Sequence, residues 1–297
     1  MIINSANMDT LRVGYKTAYQ GGFDAVPTLR DRVSEVIASS TGENIYAWLG
    51  ELPGMREWLG ARVVNNLRSH DYRVRNRDFE QTVGVDANHI ADDLFGMYTK
   101  RFEMMGRSVA RHPETLVWGA LADGFTSKCY DGQNFFDTDH PVLDENGEEI
   151  SVANTDGGSG TPWFLLCTNE VVKPIILQVR QEAQFTSLDR PADENVFMNR
   201  QFIYGTSWRG AVAYGFWQFA WGSKQDLTAT NYATAREALM GMKGDYGHPM
   251  GLKPDLLVVP PSLEGGALEI LNAERNAAGA TNVYKGTAEL LVSPWLA

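Results

Sequence analysis

Cysteine is scarce. Only Cys129 and Cys167 occur in 297 residues, too few for a disulfide framework and in keeping with a reducing setting. Long apolar runs are missing as well: nothing approaches the roughly 18 consecutive residues of a spanning helix, and "GAVAYGFWQFAWG" from Gly210 is too short and Gly-rich, reading instead as sheet. The start, "MIINSANMDTLRVGY", has neither a basic segment nor an apolar stretch, so no signal peptide is expected. GxGxxG, GxxxxGK[ST], GxSxG and HExxH are all absent. Positive charge is in deficit, with a net −11, which argues against a sequence-independent nucleic-acid binder.

What is present is a normal 43% hydrophobic content, enough for one large or two ordinary domains. The charges are segregated. Six arginines (Arg56, Arg62, Arg68, Arg73, Arg75, Arg77) face only Glu57 and Asp71 in one segment. Between Lys128 and Lys173 there is no Lys or Arg, while Asp131, Asp137, Asp139, Asp144, Glu145, Glu148, Glu149 and Asp156 fall there. Either these are two solvated faces, or the basic segment docks on the acidic one, within a subunit or between neighbours.

Residues 1–40 carry only a short helical hint at "LRDRVSEVI" and are broken by Gly21-Gly22 and Pro27, so they are expected to form an extended arm. Residues 41–87 alternate in short runs such as Tyr72/Val74 and Val83/Val85 between glycines. This predicts a long hairpin with Trp48 and Trp58 near its tip and no core of its own. From Asp92 the period changes: Leu94, Tyr98, Phe102, Met105 and Val109 mark one face of a long helix. "HPETLVWGALADG" continues it, kinked or as a second helix from Pro113, and stops at Gly124. "VLDENGEEISV" predicts a two-residue hairpin turn at Asn146-Gly147, and "NTDGGSGTP" a flexible loop. Strands are expected in "WFLLCT", "KPIILQVR", "VFMNRQFIYG" and "AVAYGFWQFAW", then a helix in "NYATAREALMGMKG". "PDLLVVPPSLEGGALEILNAE" predicts a buried strand, a Pro-Pro turn and a helix capped by Ser262; "VYKGTAELLVSPWLA" gives a last strand. The mixture is α+β.

Most of the chemistry-bearing residues fall in "KCYDGQNFFDTDHPV", residues 128–142. A nucleophilic Cys129 with His140 as base is the enzyme reading, a cytosolic cysteine hydrolase. The surrounding carboxylates would raise the thiol pKa, the wrong direction for a thiolate. Asp137, Asp139 and His140 are too tightly spaced to converge on a metal, and no calcium-loop spacing is present. Asp and Asn also fasten turns through their own backbone, so a fastened turn is favoured over a catalytic, cofactor or metal site. His70, His89, His112 and His248 are scattered. "DGGSG" does not open a helix, which is poor phosphate-site context. An arm and a projecting hairpin order much backbone while burying little surface, an arrangement that makes sense when neighbours cover them, with Trp48 and Trp58 as interface anchors.

"SSTGENIYAWLGELPGMREWLGARVVNNLRSHDYRVRNRDFEQTVGV", "MGRSVARHPETLVWGALADGFTSKCYDGQNFFDTDHPV", "DENVFMNRQFIYG", "YGFWQFAWGSK" and "MGLKPDLLVVPPSLE" together resemble, in order along nearly the whole chain, the major head subunit of Mu-like phages and prophages. The resemblance implies a major capsid protein of the Hong Kong 97-like fold, not an enzyme. Its parts would be an N-terminal arm (1–40), an extended loop (41–87), a peripheral domain with a spine helix (88–223), an axial domain (224–280) and a C-terminal strand (281–297). It implies self-assembly into hexamers and pentamers of an icosahedral head in the virion, built in the host cytoplasm. The partners it implies are a scaffold, a maturation protease, a portal and a cementing protein, with packaged DNA contacted only weakly and no membrane. An encapsulin-like compartment shell shares that fold. Some shells of this fold are welded by Lys-to-Asn bonds from the extended loop; with no lysine between Lys16 and Lys100, such cross-linking is not expected here.

Overall fold

The computed structural model describes residues 5–50, 71–92, 96–276 and 278–297. The helices are α1 (Ser5–Asp24), α2 (Ala87–Ala91), α3 (Met97–Asp123), α4 (Glu194–Asn199), α5 (Ala229–Met240) and α6 (Glu264–Leu271). The strands are β1 (Ser34–Ala38), β2 (Glu43–Ile45), β3 (Arg73–Arg75), β4 (Arg77–Asp86), β5 (His140–Leu143), β6 (Glu149–Val152), β7 (Thr155–Gly158), β8 (Trp163–Leu166), β9 (Ile175–Leu188), β10 (Gln201–Tyr214), β11 (Ala220–Lys224), β12 (Leu256–Val259) and β13 (Glu289–Val292).

Two sheets carry the fold. One has the order β1-β9-β10-β4, with β1 parallel to β9 and the rest antiparallel. Its strands alternate: on β10, Phe202, Tyr204, Thr206 and Trp208 are buried while the residues between them are more exposed. That buried face packs on α1 and α3 through Tyr15, Tyr19, Phe102 and Met105. The second sheet has the order β13-β12-β8-β11-β7. Its central strands, "WFLL" and "LLVV", are buried at every position, the pattern of a sheet covered on both faces.

The long helix predicted from Asp92 is a single element, with Phe102, Met105 and Val109 buried as the period requires; Leu94 lies outside the described residues. Pro113 sits inside it without dividing it. Proline removes one backbone donor, and the adjacent Glu114 holds the helix in place. Fully buried, its carboxylate accepts from Leu29 N (3.0 Å), Arg30 N (3.0 Å) and Trp118 Nε1 (2.8 Å), which fastens the Arg30–Arg32 turn to the helix.

Several expectations need correction. Residues 1–40 are not an extended arm: α1 occupies half of them, because Met8, Tyr15 and Tyr19 form a helical stripe against α3 and the sheet. Gly22, read as a breaker, is there for proximity. A Cβ on Gly22 would lie 2.0 Å from the Glu103 carbonyl, and one on Gly106 2.0 Å from that of Tyr19, so the two helices cross backbone to backbone. "LRDRVSEVI" is a 3-10 turn followed by β1. "VFMN" is helical, in α4, and the chain turns into β10 through Arg200 at φ 50°. The β5–β6 turn has three loop residues: Asp144 N donates to Glu148 O (2.8 Å), and Gly147 takes φ 80°, the type I plus left-handed arrangement of a three-residue hairpin. "NTDGGSGTP" contains β7, paired with β11. Ser262 does not cap α6; it lies in a preceding 3-10 turn, and the N-cap is Leu263 with no side-chain bond.

Candidate assembly surfaces and the Cys129 turn

The 41–87 excursion is rooted in the core by a polar chain that sequence reading missed. Gln178 on β9, fully buried, accepts from Tyr46 Oη (2.8 Å) and donates to Asn76 Oδ1 (2.6 Å) and Val74 O (3.2 Å). Asn76 in turn donates to Ser39 Oγ (2.9 Å) and Thr41 O (2.9 Å), and Ser39 donates to Asn44 Oδ1 (2.8 Å). A lone glutamine inside the apolar run "PIILQV" was the available signal. Trp48 belongs to this root, not to a tip: half-exposed, it packs edge-on against Tyr46 and Phe216. Trp58, Arg56, Arg62 and Arg68 lie outside the described residues.

Strand alternation puts Arg73, Arg75 and Arg77 on the exposed side while Val74 and Asn76 point in. With Lys128 they line a cleft of about 540 Å³ against Thr115, Gly119 and Asp123 of α3. Arg73 pairs with Asp71 (2.8 Å) and Glu43 (3.4 Å). The acidic counterpart is the β5–β6 turn, where Glu145, Glu148 and Glu149 are exposed. There the backbone N–H groups of Glu148 and Asn146 hold the Asp144 carboxyl below its usual range. A third surface is apolar: Phe197 (79% exposed) and Met198 (68%) lie on α4, which Asn195 Nδ2 ties to the carbonyl of the exposed Leu188 at the C-terminal end of β9 (2.9 Å).

The 128–142 stretch is a tight turn pinned to the core. Cys129 N donates to Gln133 O (2.8 Å), and Gly132 takes φ 88°. Phe135 stacks on Tyr214 (4.5 Å) and Phe136 on Phe164 (5.4 Å), which draws the turn inward. Cys129 Sγ donates to Asp131 Oδ1 (3.0 Å), and His140 Nδ1 lies 2.7 Å from Asp131 Oδ2. His140 is fully buried and stacks on Trp217 at 3.9 Å, nearly parallel. Burial, with the Asp131 charge adding to it, pushes the Cys129 thiol far up. Burial pushes Asp131 up too, but bonds from His140, Cys129 and Gln133 N outweigh that and hold it low. Cys129 is therefore a neutral thiol, as the sequence predicted, and unfit as a nucleophile. Asp137 does not join it; its oxygens accept from Asn134 N and Thr138 N. His112 lies apart, wedged between Phe79 and Trp208, and burial, then Arg77, lowers its pKa.

A mixed four-stranded sheet under a long helix, joined to a five-stranded sheet with two helices, is the architecture of the Hong Kong 97-like phage capsid proteins. The procapsid protein of bacteriophage JBD30 matches it at TM-score 0.85 and 38% identity, covering 99% of this chain and all of that one. The protein of the JBD30 capsid matches at TM-score 0.80 and 28% identity, covering both chains in full. The chain belongs to the Mu-like prophage major head subunit gpT family, whose description it matches over residues 8–296. It is 39% identical to the major capsid protein of Escherichia phage Mu over the full length of both, and 38% identical to the Mu-like prophage FluMu major head subunit of Haemophilus influenzae, covering 90% of this chain and 89% of that one. This is a family of structural shell proteins, and the cysteine-hydrolase reading falls with it.

Proposed function

We propose that the chain self-assembles into hexamers and pentamers of an icosahedral tailed-phage head that encloses double-stranded DNA. Assembly takes place in the bacterial host cytoplasm, and the finished protein resides in the virion. The observation that carries this reading is the full-length relationship to the phage Mu coat subunit.

Residues 1–40 act as the N-terminal arm, helical in part, and 41–87 as the extended loop. Residues 88–223 form the peripheral domain with α3 as its spine, 224–280 the axial domain near capsomer centres, and 281–297 the closing strand. The arginine row at the root of the loop is attracted to the acidic 131–156 segment of an adjacent subunit. Such a contact needs no covalent weld. A JBD30 capsid has been solved decorated with minor capsid protein trimers, which supports a cementing protein of that kind here. A scaffold, a maturation protease and a portal complete the set of partners. The net charge of −11 suits a lumen that holds packaged DNA weakly.

Electron microscopy with light scattering on the purified chain across a range of salt tests the proposal. Closed shells, or rings of five and six, are expected. A chain that stays monomeric in every salt, and still does so beside co-expressed scaffold, would overturn it.

A further inference from the structure

The Cys129, Asp131 and His140 side chains lie inside the turn, and their hydrogen bonds do not close among neutral partners. The Asn154 carboxamide is fixed in orientation: its Nδ2 donates to the carbonyls of Phe135 (2.8 Å), Trp217 (3.2 Å) and Ala220 (3.2 Å), and its Oδ1 accepts from Asp137 N (2.9 Å). His140 Nε2 lies 3.2 Å from that same Oδ1, so Nε2 carries a proton and donates it. On the other side of the ring, Nδ1 faces Asp131 Oδ2 at 2.7 Å, and an ionised carboxylate has no proton to give. With Nε2–H committed to Asn154, the 2.7 Å gap at Nδ1 is bridged by a positive charge: a second ring proton, which makes the His140–Asp131 ion pair, or a metal cation in its place.

A third donor stands beside that gap. Among the described residues, Cys129, Asp131 and His140 bring a thiol, a carboxylate and an imidazole nitrogen within 4.8 Å of one another, with both Cys129 and His140 buried. We propose that Cys129 Sγ, an Asp131 carboxylate oxygen and His140 Nδ1 bind one zinc-class divalent cation.

Tetrahedral zinc holds N and O ligands at about 2.0–2.2 Å and sulfur at about 2.3 Å, so its ligand atoms stand roughly 3.4 Å apart. At present Sγ lies 3.0 Å from one Asp131 oxygen and Nδ1 2.7 Å from the other, and one donor atom from each residue lies within 4.8 Å of the other two, so a shift of the Asp131 carboxylate and of the thiol is needed to seat the ion. The Nε2–H bond to Asn154 is the outer contact that orients a metal-bound histidine. The Asn134 carbonyl, 3.9 Å from Sγ, or a water supplies the fourth position. On binding, the Sγ–H bond breaks and its proton leaves to solvent, the sulfur lone pair forms the metal–sulfur bond, and no oxidation state changes. Coordination thus supplies the positive charge that a buried thiolate otherwise lacks.

The test uses the full chain, stripped by chelator and returned to metal-free buffer, then titrated with Co²⁺ and afterwards Zn²⁺. Expected are one equivalent per chain, a thiolate-to-cobalt charge-transfer absorption that zinc bleaches, release of at least one proton per ion, and a higher thermal midpoint with zinc. Cys129→Ser should abolish the charge-transfer band and the zinc-induced rise while circular dichroism is unchanged. Should that variant fail to fold, Asp131→Asn is read the same way for stoichiometry and midpoint. A folded wild type that takes up neither ion in excess means that a proton alone fills the gap, and the proposal is wrong. Uptake that survives in the folded variants equally overturns it.

Discussion

Glu114 is a carboxylate buried mid-helix because three donors converge on it: two backbone N–H groups of the segment before β1 and the indole of Trp118. Glu114→Ala strands all three, and a buried donor left unpaired costs about 1–3 kcal/mol, so a clear drop in the thermal midpoint is expected. Asp131 gives a pH dependence whose sign is fixed by its lowered pKa. The unfolded chain takes up this proton more readily than the folded one. Its stabilisation is therefore present above the ordinary carboxylate pKa of about 4 and is lost as pH falls through the lower folded value. Midpoints of wild type and Asp131→Asn, measured from neutral pH into acid, should converge at the acid end. Cys129 behaves in the opposite sense: with its thiol held neutral, native-state labelling by a thiol reagent at pH 8 should be far slower than in the denatured chain, and equal rates would contradict the buried thiol described here.

At the scale of elements, the α1–α3 crossing rests on Gly22 and Gly106, where neither helix leaves room for a Cβ. Gly106→Ala forces the backbones apart, an overpacking cost of about 1–3 kcal/mol, and calorimetry should find it although alanine is the better helix former. This crossing also explains what the sequence concealed. A helix whose stripe is Met8, Tyr15 and Tyr19 and whose end carries Gly21-Gly22 reads as broken, because the partner that requires the glycine lies more than eighty residues away. Elements whose signal lies within their own residues were legible: α3 with its regular apolar face, α5 with its terminal glycine, β12 as an unbroken buried run. The Cys129 turn was legible in chemistry but not in membership. Asp137 and Asp139 looked the equals of Asp131 in sequence, and only the inward pull of Phe135 and Phe136 selects which carboxylate meets His140. Gln178 was hidden for the same reason, since its partners Tyr46 and Asn76 are over a hundred residues upstream.

For the whole molecule, the segregation of charge is the property most open to test. Reversing Arg73, Arg75 and Arg77 to glutamate should slow or prevent assembly and weaken its dependence on salt, as followed by light scattering, while leaving the monomer's circular dichroism intact, because all three side chains are exposed. Unchanged assembly with unchanged salt dependence would remove the basic row from any role between subunits. The parallel pairing of β1 with β9 has a consequence in time. Ser34–Ala38 emerges from the ribosome about 140 residues before the strand it pairs with, and at a synthesis rate of roughly 5–20 residues per second that is a wait of many seconds. Arg32 waits longer still, for Glu289. A nascent chain thus holds Ser34–Ala38 without its partner until β9 has been made, and closes the five-stranded sheet only when β13, at Glu289–Val292, is out: one sheet is complete with β10 at Tyr214, the other waits for nearly the last residue.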